Sequence, residues 1–581
     1  MRPVPLIACA VLLAAFAVYA GSGSRLSGPA DKAVQFVTLV PAALLFAASL
    51  RGERRPMDLA RRIIDGPGDA AFLAAVSVPV LVFTVWMALG PFDGIPSGGD
   101  EAAYYFQSMI YARGEAAAPV PGVECPRDLF PFRHFVFHDG MWFTMYTPLH
   151  ALVMAPFTRA GISPLLGPLE GVLALAGAFL LFRSLAGRTV ARTALLFMAL
   201  SPFLLFMAPT HMAHNTELAL VVWALYLIVR SVRGTAGAGR LQAAAGFLLG
   251  LSLCTKPYTV LPWAVTITVG LISTLRSRAF PALARIAAGA LPPVLFLLAA
   301  NRFYTGDCLT PAYDLARGGS LIGFGPERAW FPEYGDRAHT PLRGLMNLAK
   351  QAGAGSTILL GWPFLSLLPP LFAFMDGRER RKWALAAGSI AVFAPFMMLH
   401  YSASIDYGPR HYYTALPCFA LLCAAGLSKA AGRWGCRAVY AVAGLFAFAT
   451  LPVYLPDGIA LRSGPWQAID TIPAEAAESA ARPPAVIFME ASEHGYPNIV
   501  SGLLATDPFL DGDFVFCAHQ SPGDDLAAME SVFSGRNAYL FWMEGGEARI
   551  EPWTRARAAG LTAERDLRPG WAPSNSSADD P

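Results

Sequence analysis

Ser97-Gly-Gly-Asp-Glu-Ala-Ala-Tyr-Tyr-Phe-Gln-Ser-Met-Ile-Tyr-Ala-Arg-Gly114 opens with two adjacent carboxylates and decides how the rest of the chain is read. Tyr105, Phe106, Met109 and Ile110 recur at helical spacing and Gly114 supplies a stop, so a short amphipathic helix is expected with Asp100 and Glu101 at its start. The stretch follows the third strongly apolar segment, which sets the acidic pair beside a membrane surface. Asp100 at such a place can cap the helix by accepting backbone N–H bonds of the first turn, or it can serve as a catalytic base. The two roles are compatible, and what else reaches this side of the membrane separates them.

With 581 residues, 55% of them hydrophobic and only 15% charged, and a mean hydropathy of +0.45, the chain is too apolar for a soluble surface. A polytopic, all-α membrane protein is expected. The net charge of +3 and the lack of any block of about five like charges argue against nucleic acid as a partner. The apolar run 4–20 has no clean small-residue cleavage site behind it and many spans after it, so it reads as a first helix rather than a signal peptide.

A span needs about 20 apolar residues, and Lys and Arg mark the cytoplasmic loops. The basic loop from Arg51 to Arg62 follows a second span, 33–50, and is expected inside. The span 70–90 then runs outward and leaves the loop 91–147, with Asp100 and Glu101, on the outer face. The apolar stretch 147–157 is too short to cross, and if it crossed Arg183, Arg188 and Arg192 would fall outside; it is expected to be an interfacial helix. Further spans are expected at 168–184, 190–208, 213–230, 241–255, 258–275, 281–300, 353–375, 383–400, 412–428 and 438–455, roughly thirteen in all. The basic loops 230–240, 276–285, 378–382 and 429–437 then join the Arg51 loop on the inside, and 301–352 becomes a second large outer loop. Residues 1–455 form the membrane domain in this reading. The polar tail 456–581 carries apolar runs at 485–489, 514–517 and 538–542 around a helical stretch, 524–533, which suggests a small extracytoplasmic α/β domain.

Charged residues placed within the hydrocarbon cost about 2.5 to 3.5 kcal/mol and therefore face a wet cavity or a partner. Those expected near the outer helix ends are Asp100, Glu101, His211, His214, Lys256, Arg302, Asp307, Arg410 and His411. Acidic groups at one end, with Lys256, Arg410 and His411 at the other, suit a phosphate-bearing substrate: the cations hold the phosphate while a carboxylate acts on an acceptor hydroxyl. Against this, Lys256 and Arg410 can simply snorkel to the headgroups, and Arg302 and Asp307 can pair with each other. His211, His214 and Glu217 share helical spacing suited to a metal site, but no fourth ligand is evident and hydrogen bonding to neighbours is the simpler expectation.

The ordered motifs resemble the GT-C superfamily of polytopic glycosyltransferases, in particular the bacterial relatives of protein O-mannosyltransferases and of the lipid A aminoarabinose transferase. The acidic pair of that family is matched by Gly99-Asp-Glu-Ala-Ala-Tyr104. Its aromatic and proline segment resembles Asp139-Gly-Met-Trp-Phe-Thr-Met-Tyr-Thr-Pro-Leu-His150, with Thr147 where a proline is common and Met145 where a lysine often lies. Leu200-Ser-Pro-Phe203, Leu253-Cys-Thr-Lys-Pro257, Tyr304-Thr-Gly-Asp-Cys-Leu-Thr310 and Gly408-Pro-Arg-His-Tyr412 continue the match through most of 90–430. The resemblance implies an inverting enzyme of the bacterial cytoplasmic membrane that takes a sugar from a polyprenyl-phosphate donor. The acceptor would be a glycan, lipid or protein at the outer face. Asp100 would be the base, with Glu101 beside it, and Lys256, Arg410, His411, Tyr146, His150, His211 and His214 would bind substrate among membrane lipids. No cofactor is implied; a divalent cation, used by other GT-C branches, is not favoured.

A lipid or solute transporter, with many helices and midplane charges, would share this composition, but transporters usually show internal repeats and broken helices near the midplane; no repeat is evident, and the polar residues gather at one face. A non-catalytic scaffold is separated only by activity. Of the eight cysteines, Cys125 and Cys308 belong to the two outer loops and are expected to form a disulfide between them.

Overall fold

Backbone polar groups inside a bilayer have to be satisfied within their own segment, so the apolar stretches become helices. The computed structural model of the protein describes residues 64–319, 322–327, 338–362, 365–375, 379–463, 469–490 and 496–557. The expected spans 4–20 and 33–50 and the Arg51 to Arg62 loop lie outside the described residues. In chain order come α1 (Asp69–Leu89), α2 (Gly99–Ala112), β1 (Ala118–Pro119), α3 (Pro126–Leu129), β2 (Phe135–His138), β3 (Met141–Thr144), α4 (Pro148–Arg159), α5 (Leu166–Leu185), α6 (Arg188–Ala199), α7 (Pro202–Met207), α8 (His214–Val232), α9 (Ala238–Leu253), α10 (Pro257–Leu275) and α11 (Ala279–Thr305). The second half holds α12 (Ala312–Arg317), α13 (Pro341–Ile358), α14 (Leu368–Phe372), α15 (Arg380–Ala391), α16 (Phe393–Met398), α17 (Leu416–Trp434), α18 (Cys436–Ala449) and α19 (Leu455–Arg462). Last come α20 (Ile472–Ala480), β4 (Ala485–Met489), α21 (Tyr496–Ala505), β5 (Phe514–Ala518), α22 (Pro522–Ser531), β6 (Asn537–Glu544) and β7 (Glu547–Pro552).

Among the described residues five helical stretches, one of them the 49-residue run through α10 and α11, are long and apolar enough to cross a membrane, and the protein is a multi-pass membrane protein. Three of the expected continuous spans are broken. The stretch 190–208 divides at Ser201, because Pro202 has no N–H to continue α6 and instead starts α7. The stretch 353–375 ends its first helix at Ile358 and turns at Gly361, whose φ of +68° favours glycine. The stretch 383–400 divides into α15 and α16.

The short apolar stretch after Thr147 forms α4, a helix of 12 residues. That α4 does not cross is visible from where the next helix goes: at the end of α5, Arg183 lies 2.9 Å from Asp69 at the start of α1. Arg188 and Arg192, in the first turns of α6, reach the same carboxylate at 3.2 and 2.6 Å. These arginines therefore sit at the membrane end opposite Asp100.

The expectation of an all-α membrane part needs correction in the loop 91–147, where an antiparallel sheet of order β1-β3-β2 forms. The signal is local. Asp139 and Gly140 join β2 to β3 with φ of +47° and +74°, the backbone of a two-residue hairpin turn, for which Asp-Gly is a favoured pair. The tail forms a second sheet, order β5-β4-β6-β7, with β4 parallel to β5 and β6 and β7 antiparallel at the edge. β4, β5 and β6 are the three apolar runs read from the sequence, and the polar edge strand β7 is additional. One hydrophobic cluster joins this sheet to the outer loop: Phe106 and Ile110 of α2 and Phe135 and Trp142 of the hairpin share a core with Val486, Phe488 and Phe516. Arg113, at the end of α2, also pairs with Asp507 and Asp511.

The Cys125–Cys308 disulfide is likewise corrected, since both thiols are free and exposed. Cys125 caps α3, whose Asp128 carbonyl accepts a hydrogen bond from Gln520 of the tail, while Cys308 follows α11. The first outer loop is thus held by the tail through packing and hydrogen bonds.

Helices α9 and α11 cross at glycine. A methyl at Gly246 would stand 1.9 Å from the Ile286 carbonyl oxygen, and one at Gly289 equally close to that of Ala243, the close approach that small residues permit between membrane helices. Gly246→Ala is expected to destabilise the protein by about 1–3 kcal/mol, read as a lower midpoint of thermal unfolding in detergent. Gly353→Ala, with open space around it, should leave the midpoint in place.

Candidate active site

Asp100 faces a cavity of about 850 Å³ that Tyr146, Lys256, Arg410 and His411 also line. Each arrives by a different local device. Gly98, with extended backbone, caps α2, and no side chain bonds at that cap. The alternative in which Asp100 is the cap is therefore overturned: it lies inside the first turn with its oxygens turned elsewhere. Lys256 occupies the cap position before Pro257 opens α10. The Tyr146 segment is tied to it because Thr147 Oγ1 donates to the Thr255 carbonyl at 2.6 Å and Leu149 N to that of Cys254 at 3.1 Å. Arg410 and His411 stand on a short 3-10 turn that leads into α17. The tail contributes Ile469 and Val500 to the wall.

Asp100 Oδ1 accepts a hydrogen bond of 2.5 Å from the Tyr146 hydroxyl and lies 3.3 Å from His134 Nε2. Its Oδ2 lies 3.3 Å from Arg410, which also reaches Asp406 at 3.6 Å. Burial alone would raise this carboxyl, but the Arg410 guanidinium, His134 and Tyr146 hold it well below the usual carboxylate range. Asp100 is thus ionised across the physiological range and adjoins fixed positive charge.

Glu101 points the other way. It is fully buried, and its oxygens accept from Ser97 Oγ at 3.1 Å, Tyr407 OH at 2.9 Å and the His211 backbone N–H at 2.9 Å. Burial pushes its carboxyl up, offset in part by these bonds. Glu101 is not among the residues that line the cavity.

His150, His211 and His214 also stand behind the wall rather than in it. His150 bonds Thr216 Oγ1 at 2.7 Å and the His211 carbonyl at 2.9 Å, and His211 Nε2 bonds Ser163 at 3.1 Å. Burial lowers His150 to about 4 and His211 to about 3, so both rings are neutral. His214 packs 6.0 Å from His411, between ring centres. Glu217 accepts from Thr259 instead of joining the histidines, and among the described residues no group of three or more His, Cys, Asp or Glu is arranged to hold a metal ion.

Lys256 is buried, and burial together with the neighbouring Arg410 charge pushes its ammonium down while Glu217 and Asp100 pull it back. Both ring nitrogens of His411 and the Nε of Arg410 are buried without a hydrogen-bond partner. Arg410 and His411 line the cavity together with Lys256 and Asp100. Asp307, by contrast, is engaged with Thr310 at 2.6 Å. His134, Tyr407, Ile469 and Val500 were not foreseen, and no spacing in the sequence points to them, since their partners lie far along the chain.

No protein-family model matches the chain, and no curated protein matches it. Its fold is shared with a solved ArnT structure. The chain is similar to ArnT from Cupriavidus metallidurans in the apo state, with a TM-score of 0.51 at 12% identity over 84% of this chain and 99% of that one. ArnT from the same organism bound to undecaprenyl phosphate gives 0.49 at 14% identity over 82% and 93%. The oligosaccharyltransferase AglB from Archaeoglobus fulgidus, in complex with an inhibitory peptide and a dolichol-phosphate, gives 0.45 at 13% over 80% and 69%.

Truncating Glu101 removes the acceptor of the buried His211 N–H, at about 1–3 kcal/mol for a buried group left unpaired, and leaves the Ser97 and Tyr407 hydroxyls only the bond of 2.7 Å that they share with each other. Glu101→Ala is therefore expected to lower the thermal midpoint of the purified protein by several degrees. Asp100→Asn, at the cavity surface, should lower it far less.

Proposed function

We propose that the protein is an inverting glycosyltransferase that moves a sugar from a polyprenyl-phosphate donor to an acceptor at the outer face of the bacterial cytoplasmic membrane. The observation that carries this reading is the meeting, in one cavity, of an ionised carboxylate with buried cations: Asp100 with Lys256 and Arg410. The fold shared with apo ArnT supports it.

In the reaction, Asp100 takes the proton of an acceptor hydroxyl as its oxygen attacks the anomeric carbon. The bond from that carbon to the phosphate oxygen breaks, and its electron pair stays on the phosphate. Lys256 and Arg410 stabilise the charge gathering there, beside His411 on the same wall. Glu101 keeps the start of α2 in place, so that Asp100 acts without a second carboxylate reaching the acceptor. The side-chain cations meet the charge requirement of the leaving phosphate without a metal ion in this reading.

Asp100→Asn keeps the size but removes the basic oxygen, and general-base catalysis contributes about 10² to 10⁴-fold. Transfer, followed by mass spectrometry of lipid-linked sugars and surface glycans from cells carrying each variant, should fall at least about a hundredfold; near-normal transfer would place the base elsewhere. Lys256→Ala and Arg410→Ala should each weaken undecaprenyl phosphate binding at least about tenfold, since a charge-assisted contact is worth about 1.5 to 3 kcal/mol. Unchanged affinity in both would assign them to snorkelling. Reporter tags after residues 235 and 379 should read cytoplasm and one after residue 120 the outer side; a cytoplasmic signal at 120 would overturn the orientation.

A further inference from the structure

We propose that His134 is a positioning residue for Asp100: its imidazole, seated in the notch left by Gly99, pins Oδ1 and so aims Oδ2 at the acceptor. This rests on the reading of Asp100 as the base. The ring is fixed from several sides. A methyl at Gly99 would stand 2.9 Å from His134 Cε1, so the ring occupies the space that any other residue there would fill. Phe132 packs on it with 4.7 Å between ring centres, and Tyr146 stacks at 5.8 Å with 29° between planes. The His134 carbonyl accepts Met145 N at 3.0 Å, so the backbone beside the ring is tied to the end of β3.

Donor and acceptor counting sets the tautomer. An ionised carboxylate only accepts, so His134 Nε2, 3.3 Å from Oδ1, carries the proton, and Nδ1, buried and without a partner, carries the lone pair. Tyr146 donates to the same Oδ1. The last torsion of an aspartate is soft and two-fold, so in isolation either oxygen could face the cavity. Two donors on Oδ1 remove that freedom and leave Oδ2 beside Arg410.

The groups facing His134 are Asp100 from α2, Tyr146 beyond β3, Arg133 next to it and Arg317 of α12. Burial, with the two arginines, lowers the ring to about 4 although Asp100 pulls it upward. Above about pH 5 the imidazole is therefore neutral, and a pH effect of changing it passes through Asp100. Because its hydrogen bond favours the ionised carboxylate, losing it should raise the pH at which Asp100 takes a proton.

The test uses full-length protein in detergent, with dicyclohexylcarbodiimide as a probe that reacts with protonated carboxyls and mass spectrometry to locate the label. His134→Phe keeps a ring in the notch without the donor, and His134→Gln restores an N–H near the place of Nε2. Gly99→Ala moves the ring without replacing it. In His134→Phe the half-labelling pH of Asp100 is expected to rise by up to about one unit, and transfer to fall about tenfold, with undecaprenyl phosphate affinity within about twofold of the unchanged protein. His134→Gln should recover most of both, and Gly99→Ala should follow His134→Phe in direction, so a folding failure of the ring variant leaves the question decidable. Wild-type labelling and turnover in His134→Phe would overturn the proposal. Equal loss in the Phe and Gln variants with unmoved labelling would also overturn it, and would assign the ring to packing. Absence of sugar transfer by the unchanged protein would defeat the proposed function instead, while the labelling comparison still decides whether His134 governs Asp100.

Discussion

A buried carboxylate is costly unless hydrogen bonds compensate it, and Glu101 imposes that constraint on the membrane part of the protein. Its oxygens draw together the start of α2 through Ser97, the turn before α8 through His211, and the segment before α17 through Tyr407. These segments are far apart in the chain, yet they converge on one carboxyl group. Successive helical side chains diverge by about 100°, so when Glu101 is turned inward Asp100 is turned toward the cavity. The same convergence brings Arg410, which follows Tyr407 closely, to Asp100.

The second constraint acts from outside the membrane helices. The tail does not hang from the chain as a separate appendage: its sheet shares a hydrophobic cluster with α2 and the hairpin, and Ile469 and Val500 reach the cavity wall. The helix bearing Asp100 is therefore packed between α4 on one side and the α/β unit on the other. Burial of this kind makes the position of the carboxylate depend on parts of the chain that carry none of the chemistry. Arg113 reinforces it by pairing with Asp507 and Asp511 and by lying over the Phe509 ring at 4.8 Å.

Much of this architecture was legible locally. The apolar runs that became α1, α5, α8, α10, α11 and α17 are long enough to be recognised one at a time, and the strands β4, β5 and β6 are the short apolar runs of the tail. The shortness of α4 and the arginines after α5 correctly placed the end of α5 away from Asp100. The hairpin was also legible, through Asp139-Gly140, but its aromatic strands read equally as loop when the surrounding chain is assumed helical. The breaks at Ser201 and Gly361 were harder to place, because a proline or glycine within an apolar run is compatible with either a kinked or a divided helix.

The sequence by itself determined that this is a multi-pass membrane protein with an α/β tail and a set of polar residues gathered toward one end of its helices. Apolar length, turn residues and Lys or Arg between spans are local quantities, and they suffice for that. Only the tertiary structure decided which of two adjacent carboxylates faces the cavity and which is consumed in holding the fold. It also decided that His150, His211 and His214 support the wall while Lys256, Arg410 and His411 line it, and that His134 meets Asp100. Those outcomes depend on hydrogen bonds and burial between residues hundreds of positions apart, as between Glu101 and Tyr407, and such pairings leave no mark in the spacing of nearby residues.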